Sequence, residues 1–330
     1  MFRSSWVLSC LLLACAAGST TISSTTKAAP GAELIDPKTA GKNPDFLVQG
    51  EYLGQGVWPG GDKTVIGAQV IALGGHKFRV VLHRGGLPGA GWRRGDDRLF
   101  WNGVLADEVV TLTGNNLPGG KIVGNHLTLD TSSGKPTISL KQTERKSTTL
   151  GAKPPVGAIV LFNGTSADHF KNGKTTDLKT LEAGTSLKKQ LKMARLHLEF
   201  RLSWKPKARG QGRSNSGVYL GGIPEIQVLD SFGLEGAKNE CGALYGRRAP
   251  DVNMCLPPLV WQTYDVEFHR PKLGPDGKPT GNVAVTVRHN GVVIHDRYDT
   301  HRKTLESGGM HLQRHGNRVQ YRNIWLVESK

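Results

Sequence analysis

The segment PEIQVLDS carries the acidic and amide side chains with the clearest capacity for chemistry in this sequence. Glu225 and Gln227 lie two residues apart, so they share one face of a predicted strand, while the apolar residues beside them face a core. Strict alternation places Asp230 on the apolar side, but a β-bulge at Val228-Leu229 would return it to the polar face. We therefore expect Glu225, Gln227 and Asp230 to line one groove. The alternative is an exposed strand with ordinary polar alternation.

The surrounding segment, Gly212–Phe268, contains the other residue types that a sugar site requires. Guanidinium and amide groups can donate hydrogen bonds to sugar oxygens, and flat aromatic rings can stack on pyranose faces. Candidate substrate contacts of these kinds are Arg213, Asn215, Tyr219, Tyr245 and Trp261. Each of the aromatic residues, taken alone, is more typical of a hydrophobic core.

The N-terminus has the pattern of an export signal, which we predict to span residues 1–18. Arg3 supplies a positive charge, and Trp6–Ala17 is apolar but too short to span a bilayer. The run LLAC that ends at Cys15 also resembles a bacterial lipoprotein box, in which that cysteine would carry a lipid. We predict export to the periplasm, the outer envelope or the medium, with peripheral membrane attachment only if Cys15 is lipidated.

Cys241 and Cys255 are the cysteines left for the folded chain, because Cys10 and Cys15 lie in the apolar N-terminal segment. In an oxidising compartment such a pair is expected to form a disulfide. The bond would close a loop of about 15 residues and stabilise the fold by about 3 kcal/mol in the chain-entropy model. The alternative is a pair of buried free thiols.

Length and composition favour a soluble β protein. The chain has 330 residues, which suits two domains, and its 43 glycines and 37% hydrophobic residues are typical of a turn-rich β fold. The formal net charge of +16 would suit nucleic acid or an anionic surface. However, the basic residues are dispersed, without a block of about five or six like charges. We therefore expect no nucleic-acid partner. The dispersed basic residues are expected to be solvated, and they would suit binding to an acidic polysaccharide or to the cell envelope.

The pattern of strands and linkers predicts two β domains. A disordered linker at 19–44 precedes a small antiparallel β domain at 45–150, and a larger β domain follows at 156–330. Alternation is clear in HLTLD and TISLKQT of the first domain, and Asn290-Gly291 predicts a type I′ hairpin in the second. Many alternating strands with few helical runs indicate an all-β fold, with a sandwich of two antiparallel sheets in the second domain.

The loop GGLPGAGWRRGDDRLFW in the first domain concentrates tryptophans among charged residues. It could present Trp92 and Trp101 as a carbohydrate-binding surface. A glycine-rich hairpin loop with packed tryptophans is the favoured interpretation. The sequence assigns no role to this domain.

A series of motifs follows in order from Val160 to Val327. They are LFNG, LHLEFR, SNSGVYL, EIQVLDSFG, CGALYG, PDVNMCLPPLVWQTYDV, HNGVVIHD and LQRHGNRVQYRNIW. In these motifs the second domain closely resembles the 3-keto-disaccharide hydrolase family, long known only as a domain of unknown function. The resemblance implies a concanavalin A-like jelly-roll β-sandwich, related in fold to family 16 glycoside hydrolases, that cleaves 3-keto-glycosides. The first domain is similar to an appendage that often precedes this family.

The relation to family 16 glycoside hydrolases implies a catalytic strand of the form Glu-x-Asp-x-(x)-Glu. Glu225 matches the first acid of this pattern. Gln227 stands at the second position and cannot titrate, and Asp230 stands at the third with a shorter side chain. Retaining hydrolysis requires two carboxyl groups about 5–5.5 Å apart, one of them a nucleophile. These departures argue against ordinary double displacement.

A 3-keto sugar allows a different route, because the ketone acidifies the proton on C2. A base can remove this proton, the C1 substituent leaves, and water then adds. This chemistry requires a base, an acid and donors to the developing enolate. We assign Glu225 and His315 as the proton carriers and Asp230 as the third candidate catalytic residue, although a structural turn histidine is the alternative for His315. Contacts to substrate oxygens are expected from Arg213, Asn215, Gln227 and Asn317.

The predicted function is therefore cleavage of 3-keto-glycosides or disaccharides, by hydrolysis or by elimination and hydration. An oligosaccharide or glycoside is the expected partner. Glu225, Asp230 and His315 are also suitable ligand types for a divalent metal ion, so a catalytic metal stays an alternative. The other functional alternatives are a non-catalytic carbohydrate-binding module on the same fold and a cell-surface adhesion protein.

Overall fold

A computed structural model describes residues 33–59, 61, 63–130, 136–305 and 309–329 of the chain. The predicted signal peptide at 1–18, the lipid site at Cys15 and most of the linker at 19–44 lie outside these residues, so export and lipidation stay predictions. Within the described ranges no helix is both long and apolar enough to cross a membrane. Two short helices, Pro37–Ala40 and Pro44–Val48, begin the described chain, and each starts at an Asp or Asn cap followed by proline.

The all-β fold class predicted from the sequence is confirmed, because the described regular structure is almost entirely antiparallel strand. The first group of strands comprises β1 Gly50–Val57, β2 Lys63–Ala72, β3 Lys77–Arg84, β4 Leu87–Pro88, β5 Gly91–Trp92, β6 Arg98–Ala106, β7 Val109–Gly114, β8 Leu117–Val123, β9 His126–Asp130 and β10 Pro136–Thr143. In the described chain, all of these except β4 and β5 close into one barrel, in which β1 pairs with β10. Closure leaves no open edge in this barrel.

The barrel interior is filled by the apolar residues of the alternating strands. In HLTLD, for example, Leu127 and Leu129 point inward and are at most 2% exposed. Trp101 packs in the same cluster, and Trp92 is buried outside it, in the cluster that includes the sandwich core. The interpretation of the loop before β6 as a hairpin with packed tryptophans is therefore confirmed.

The remaining strands form a sandwich of two sheets. Its strands are β11 Ile159–Phe162, β12 Phe170–Lys171, β13 Leu181–Glu182, β14 Thr185–Leu187, β15 Met193–Arg201, β16 Asn215–Leu220, β17 Ile226–Leu229, β18 Trp261–His269, β19 Ala284–His289, β20 Val292–Asp299, β21 Met310–Leu312 and β22 Gln320–Glu328. Among the described residues the large sheet has the order β11-β22-β15-β18-β19-β20, with β13 also paired to β22. The small sheet has the order β12-β14-β21-β16-β17.

The core of the sandwich lies between the two sheets. Leu198 and Phe200 of the large sheet and Val218 and Ile226 of the small sheet are fully buried in one cluster. Because successive side chains of a strand point to opposite faces, the alternate residues of β16 and β21 point away from this core. The small sheet therefore presents a polar face on the side away from the core, and the paired strands β16 and β17 form part of this face.

The disulfide predicted between Cys241 and Cys255 is wrong for this structure, in which both are buried free thiols. Each thiol has a polar partner of its own inside the core. Cys241 Sγ lies 3.3 Å from Tyr264 Oη, and Cys255 Sγ lies 3.5 Å from the carbonyls of Leu229 and Leu256. Burial also raises the pKa of the Cys255 thiol well above its usual range. The two thiols also interact with each other, so the sulfurs are neighbours in the core without a covalent bond between them.

Buried histidines make the stability of the fold sensitive to acid. Burial lowers the pKa of His83 and His289 to about 3 and that of His295 to about 4. His295 Nε2 donates to Gly242 O at 2.7 Å, and its buried Nδ1 has no partner among the described residues. The unfolded chain takes up protons below the ordinary pKa of 6.5, whereas these buried rings stay neutral.

We expect the free energy of unfolding to fall as the pH drops from 6.5 towards 3, by about 2 kcal/mol per histidine between pH 6.5 and 5. Urea unfolding curves at pH 7 and 5 measure this loss. His295→Gln keeps a donor for Gly242 O and should reduce the loss, whereas the exposed control His126→Gln should not change it. If the His295→Gln variant lost as much free energy of unfolding between pH 7 and 5 as the wild type, His295 would not be a source of the acid sensitivity.

Candidate active site

A row of polar side chains crosses the outer face of the small sheet. Ser186 is paired with His311, His311 with Tyr219, and Tyr219 stands opposite Glu225, which directly precedes β17. His311 Nδ1 lies 2.8 Å from Ser186 Oγ, and the rings of Tyr219 and His311 are 5.7 Å apart. The register of four strands therefore brings together residues that are far apart in the sequence.

Glu225 is the half-buried carboxylate of this row. Tyr219 Oη donates to its Oε2 at 2.6 Å, and no described residue donates to Oε1. Burial raises the pKa of Glu225, and this effect outweighs the opposing effects of the Tyr219 hydrogen bond and of the positive charges of His315 and His311. A carboxyl group with a raised pKa and one unoccupied oxygen is suited to accept a proton from a ligand.

Tyr219 holds Glu225 through a directed chain of hydrogen bonds. Gln313 Nε2 donates to Tyr219 Oη at 3.1 Å, so the single phenolic proton is left for Glu225. Burial, together with the neighbouring Glu225, raises the pKa of Tyr219 to about 12, so the phenol stays protonated. Tyr219 was predicted to contact substrate, and the structure places it at the carboxylate.

Gly217 provides the space that the Glu225 side chain occupies. It lies on β16 two residues before Tyr219 and faces the same side. A Cβ atom built on Gly217 would overlap Glu225 Oε1 and would lie 2.6 Å from its Cδ. A glycine is therefore required here because the carboxylate lies flat against the backbone.

His315 follows β21 in an exposed turn beside Glu225. Its charge lowers the pKa of Glu225, as does that of His311. His315 is therefore near enough to Glu225 to act on it electrostatically, and its role as the second proton carrier stays a prediction. Because the imidazole is exposed, a ligand on the polar face can reach it.

A second group of polar residues beside this row is satisfied internally. Gln211 Oε1 accepts from Asn215 Nδ2 at 2.8 Å and from Gln227 Nε2 at 3.0 Å, and Gln211 Nε2 donates to Asn239 O at 2.8 Å. Asn215 and Gln227 are each 1% exposed. In this structure their amides hold a loop against the sheet, so they are not positioned as direct substrate contacts.

Asn317 also supports the backbone. Its Oδ1 accepts from the amide of Asn215 at 3.0 Å, and its side chain is 8% exposed. It was predicted to contact substrate, and the structure instead uses it to connect the turn after β21 to the start of β16.

Asp230 lies apart from Glu225, so the predicted three-residue groove is wrong. Residues 215–218 pair with 226–229 in regular register, without the bulge that was expected, and β17 ends at Leu229. Asp230 is 1% exposed, and Arg213 Nε donates to its Oδ2 at 2.7 Å. A buried carboxylate with this partner is an ion-pair member, and Arg213 is likewise unavailable to a sugar.

The aromatic candidates separate into one exposed and one distant residue. Tyr245 is 42% exposed and its backbone amide donates to Glu225 O at 2.8 Å, so it remains a candidate stacking wall. Trp261 begins β18 in the large sheet, where Arg322 lies 3.9 Å and Arg201 4.9 Å from its ring centroid. The structure therefore does not bring Trp261 to the candidate site, because it belongs to the other sheet.

No group of three or more His, Cys, Asp or Glu side chains in the described ranges could hold a metal ion. The three ligand types considered from the sequence do not meet, since Asp230 is paired with Arg213.

Sequence reasoning missed Gln313, His311, Gln211 and Gly217. A signal for two of them was present in MHLQRHG, where His311 and Gln313 are two residues apart and share a face. His311 and His315 also have an HxxxH spacing in this motif. Gln211 and Gly217 carry no comparable signal, because their roles depend on contacts between strands.

Comparison with known proteins places the sandwich in a family. The family described as the 3-keto-alpha-glucoside-1,2-lyase-like domain matches residues 157–327, slightly more than half of the chain. The chain belongs to this family. Membership supports a carbohydrate-active role and a carbohydrate substrate. No curated protein matches the chain.

Two solved structures from Parabacteroides distasonis ATCC 8503, each described as a "putative glycosyl hydrolase", are similar to part of the chain. The first is 26% identical with a TM-score of 0.45, and the match covers 53% of this chain and 85% of that protein. The second is 18% identical with a TM-score of 0.38, and the match covers 53% of this chain and 94% of that protein.

Proposed function

We propose that this protein cleaves the glycosidic bond of 3-keto-glycosides by elimination across C1 and C2 followed by hydration. The observation that carries the proposal is Glu225, a half-buried carboxylate with a raised pKa and an unoccupied oxygen on the polar face of the small sheet. The described strands β14, β16, β17 and β21 contain no acidic residue, and Asp230, the other predicted carboxylate, is in a buried ion pair with Arg213. Double displacement requires a carboxylate pair, whereas proton abstraction requires one base.

The elimination begins with transfer of the C2 proton of the sugar to Glu225. The electron pair of the C2–H bond becomes part of an enolate with the C3 ketone. The enolate then forms the C1–C2 double bond as the C1–O bond breaks, and the leaving oxygen takes a proton. Addition of water across this double bond puts hydroxyl on C1 and a proton on C2. The sum of the two stages is hydrolysis, without any change in oxidation state.

The residues around Glu225 have separate roles in this scheme. Tyr219 keeps the carboxylate in place through its 2.6 Å hydrogen bond, and Gln313 fixes the phenol. His315 is assigned as the proton donor to the leaving oxygen, because it is exposed, it acts electrostatically on Glu225, and an imidazole side chain can carry a proton in acid–base catalysis. Tyr245 is the candidate wall for a sugar face.

Deuterium incorporation tests this mechanism. When a 3-keto disaccharide is cleaved in D₂O, we expect deuterium at C2 of the released 3-keto sugar, because that hydrogen is removed and replaced. Mass spectrometry and proton NMR of early products measure it. The same sugar without enzyme corrects for spontaneous exchange beside the ketone, and the unoxidised disaccharide should not be cleaved.

Two results would contradict the proposal in different ways. Cleavage with the C2 hydrogen retained would indicate direct displacement. Saturable binding of glycans without cleavage of any 3-keto substrate would indicate a carbohydrate-binding module on the same fold.

A further inference from the structure

The barrel is seated on the sandwich through a shared hydrophobic cluster. Ile71, Val81 and Trp92 lie on the outer surface of the barrel, are at most 4% exposed, and pack in the same cluster as Phe232 and the sandwich core. The contact at Gly233 is close, because a Cβ atom there would lie 2.5 Å from Ile71 Cδ1. This burial fixes the barrel against the segment that follows β17.

The turn before β6 of the barrel contacts the loop formed by residues 232–250, which we call loop B. Arg94, in the turn before β6, donates from Nη2 to the carbonyls of Gly236 and Pro250, both at 2.9 Å. Its Nη1 also lies 3.6 Å from Glu235, which is paired with Arg98 as well. One guanidinium thus joins the two ends of loop B, and charge assistance strengthens these bonds.

The β2–β3 hairpin of the barrel contacts the loop formed by residues 205–214, which we call loop A. Arg209 Nη2 donates to Leu73 O at 2.9 Å, while its Nη1 donates to Pro206 O at 2.6 Å within the loop. Arg213 Nη1 contacts Ala72 O at 3.4 Å. Two arginines of loop A are therefore bound to backbone carbonyls of the barrel.

The two loops meet each other and the candidate active site. Gln211 of loop A donates to Asn239 O of loop B at 2.8 Å and accepts from Gln227 of the small sheet at 3.0 Å. In loop B, Tyr245 N donates to Glu225 O at 2.8 Å. Loops A and B, which lie beside Glu225, are therefore held in place by hydrogen bonds to the barrel.

We infer that the barrel is a positioning element for the active site, and that Arg94 and Arg209 are the positioning residues that set loops B and A. For its catalytic readout the inference rests on the proposed function. Glu225, Tyr219 and Gln313 are held by the small sheet itself. The barrel therefore affects substrate binding through the positions of loops A and B. The first domain is thus part of the catalytic unit.

The test compares Arg94→Ala, Arg94→Lys and Arg209→Ala in the full chain, with the exposed barrel variant Arg79→Ala as the matched control. Amide hydrogen exchange should become faster at Tyr245 and Gly246 in Arg94→Ala, because their bonds to Glu225 O and Lys238 O close loop B. KM for a 3-keto disaccharide should rise about tenfold in each Ala variant, with kcat within about twofold, as expected from loss of charge-assisted bonds. Arg94→Lys should show a smaller increase in both the exchange rate and KM than Arg94→Ala, and Arg79→Ala should change neither.

The outcomes separate this inference from the proposed function. Unchanged exchange in loop B of a folded Arg94→Ala variant overturns the inference, whatever the activity. A lower melting temperature with equal losses of kcat and active fraction, and no change in KM, also overturns it in favour of a purely structural contact. Faster exchange in Arg94→Ala, together with no turnover by the wild-type protein, supports the positioning of loop B and rejects the proposed reaction.

Discussion

Replacing Glu225 with Gln is expected to lower kcat/KM for a 3-keto disaccharide by about 10²–10⁴-fold, the range that a positioned general base contributes. Gln has nearly the same shape and can still accept the hydrogen bond from Tyr219. It cannot accept the C2 proton, so deuterium incorporation should fall with cleavage. Steady-state kinetics and product analysis in D₂O measure both losses.

The matched control for this substitution is Glu108→Gln in the exposed β6–β7 turn of the barrel, where activity should not change. The pH profile gives a second measurement. Because burial raises the pKa of Glu225, the acidic limb of kcat/KM should lie above the ordinary value of 4.5 for a glutamate. Activity should be lost as the pH falls through that raised value, since the base is then protonated. Wild-type kinetics in the Glu225→Gln variant would remove Glu225 from the mechanism.

The strands and the local turn could be predicted because their signals are local. Alternation in HLTLD predicted an inward Leu127 and Leu129, as the barrel has them. The Asn290-Gly291 hairpin is confirmed, since both residues have positive φ, 53° and 83°, between β19 and β20. Barrel closure depends instead on β1 pairing with β10, and no local pattern specifies a partner at that separation.

The candidate site was predictable only where one strand determines it. Alternation was enough to place Glu225 on the polar face. It could not place Asp230, because the end of β17 and the ion pair with Arg213 depend on tertiary contacts. Likewise, the spacing of Cys241 and Cys255 predicted a bonded pair, whereas the structure has them as neighbouring buried thiols that also contact Tyr264 and Leu229.

Gly217→Ala is expected to remove most of the activity without touching an ionisable group. The new methyl group would occupy the position of the Glu225 carboxylate, which must then move by an ångström or more. A displacement of about 1 Å at a reacting group can cost about 100-fold in rate. The backbone of Gly217 is extended and does not have a positive φ, so alanine is compatible with β16 itself and the fold should be retained.

Gly309→Ala is the control for this substitution, because a Cβ atom there meets no atom of the described residues within 4 Å and its φ is also compatible with alanine. It should leave kcat/KM unchanged. Melting temperatures of both variants identify any loss that comes from unfolding. Full activity in a folded Gly217→Ala variant would mean that the carboxylate does not need its observed position.

The double variant Gly217→Ala/Glu225→Gln decides whether the two residues act as one unit. If Gly217 acts only by leaving room for the Glu225 carboxylate, its substitution should have little further effect once the base is absent. The two losses would then be strongly non-additive. The single Gly217→Ala variant still carries a titrating carboxylate, so its residual activity should keep an acidic limb that Glu225→Gln lacks. Additive losses would instead indicate that Gly217 serves substrate binding in its own right.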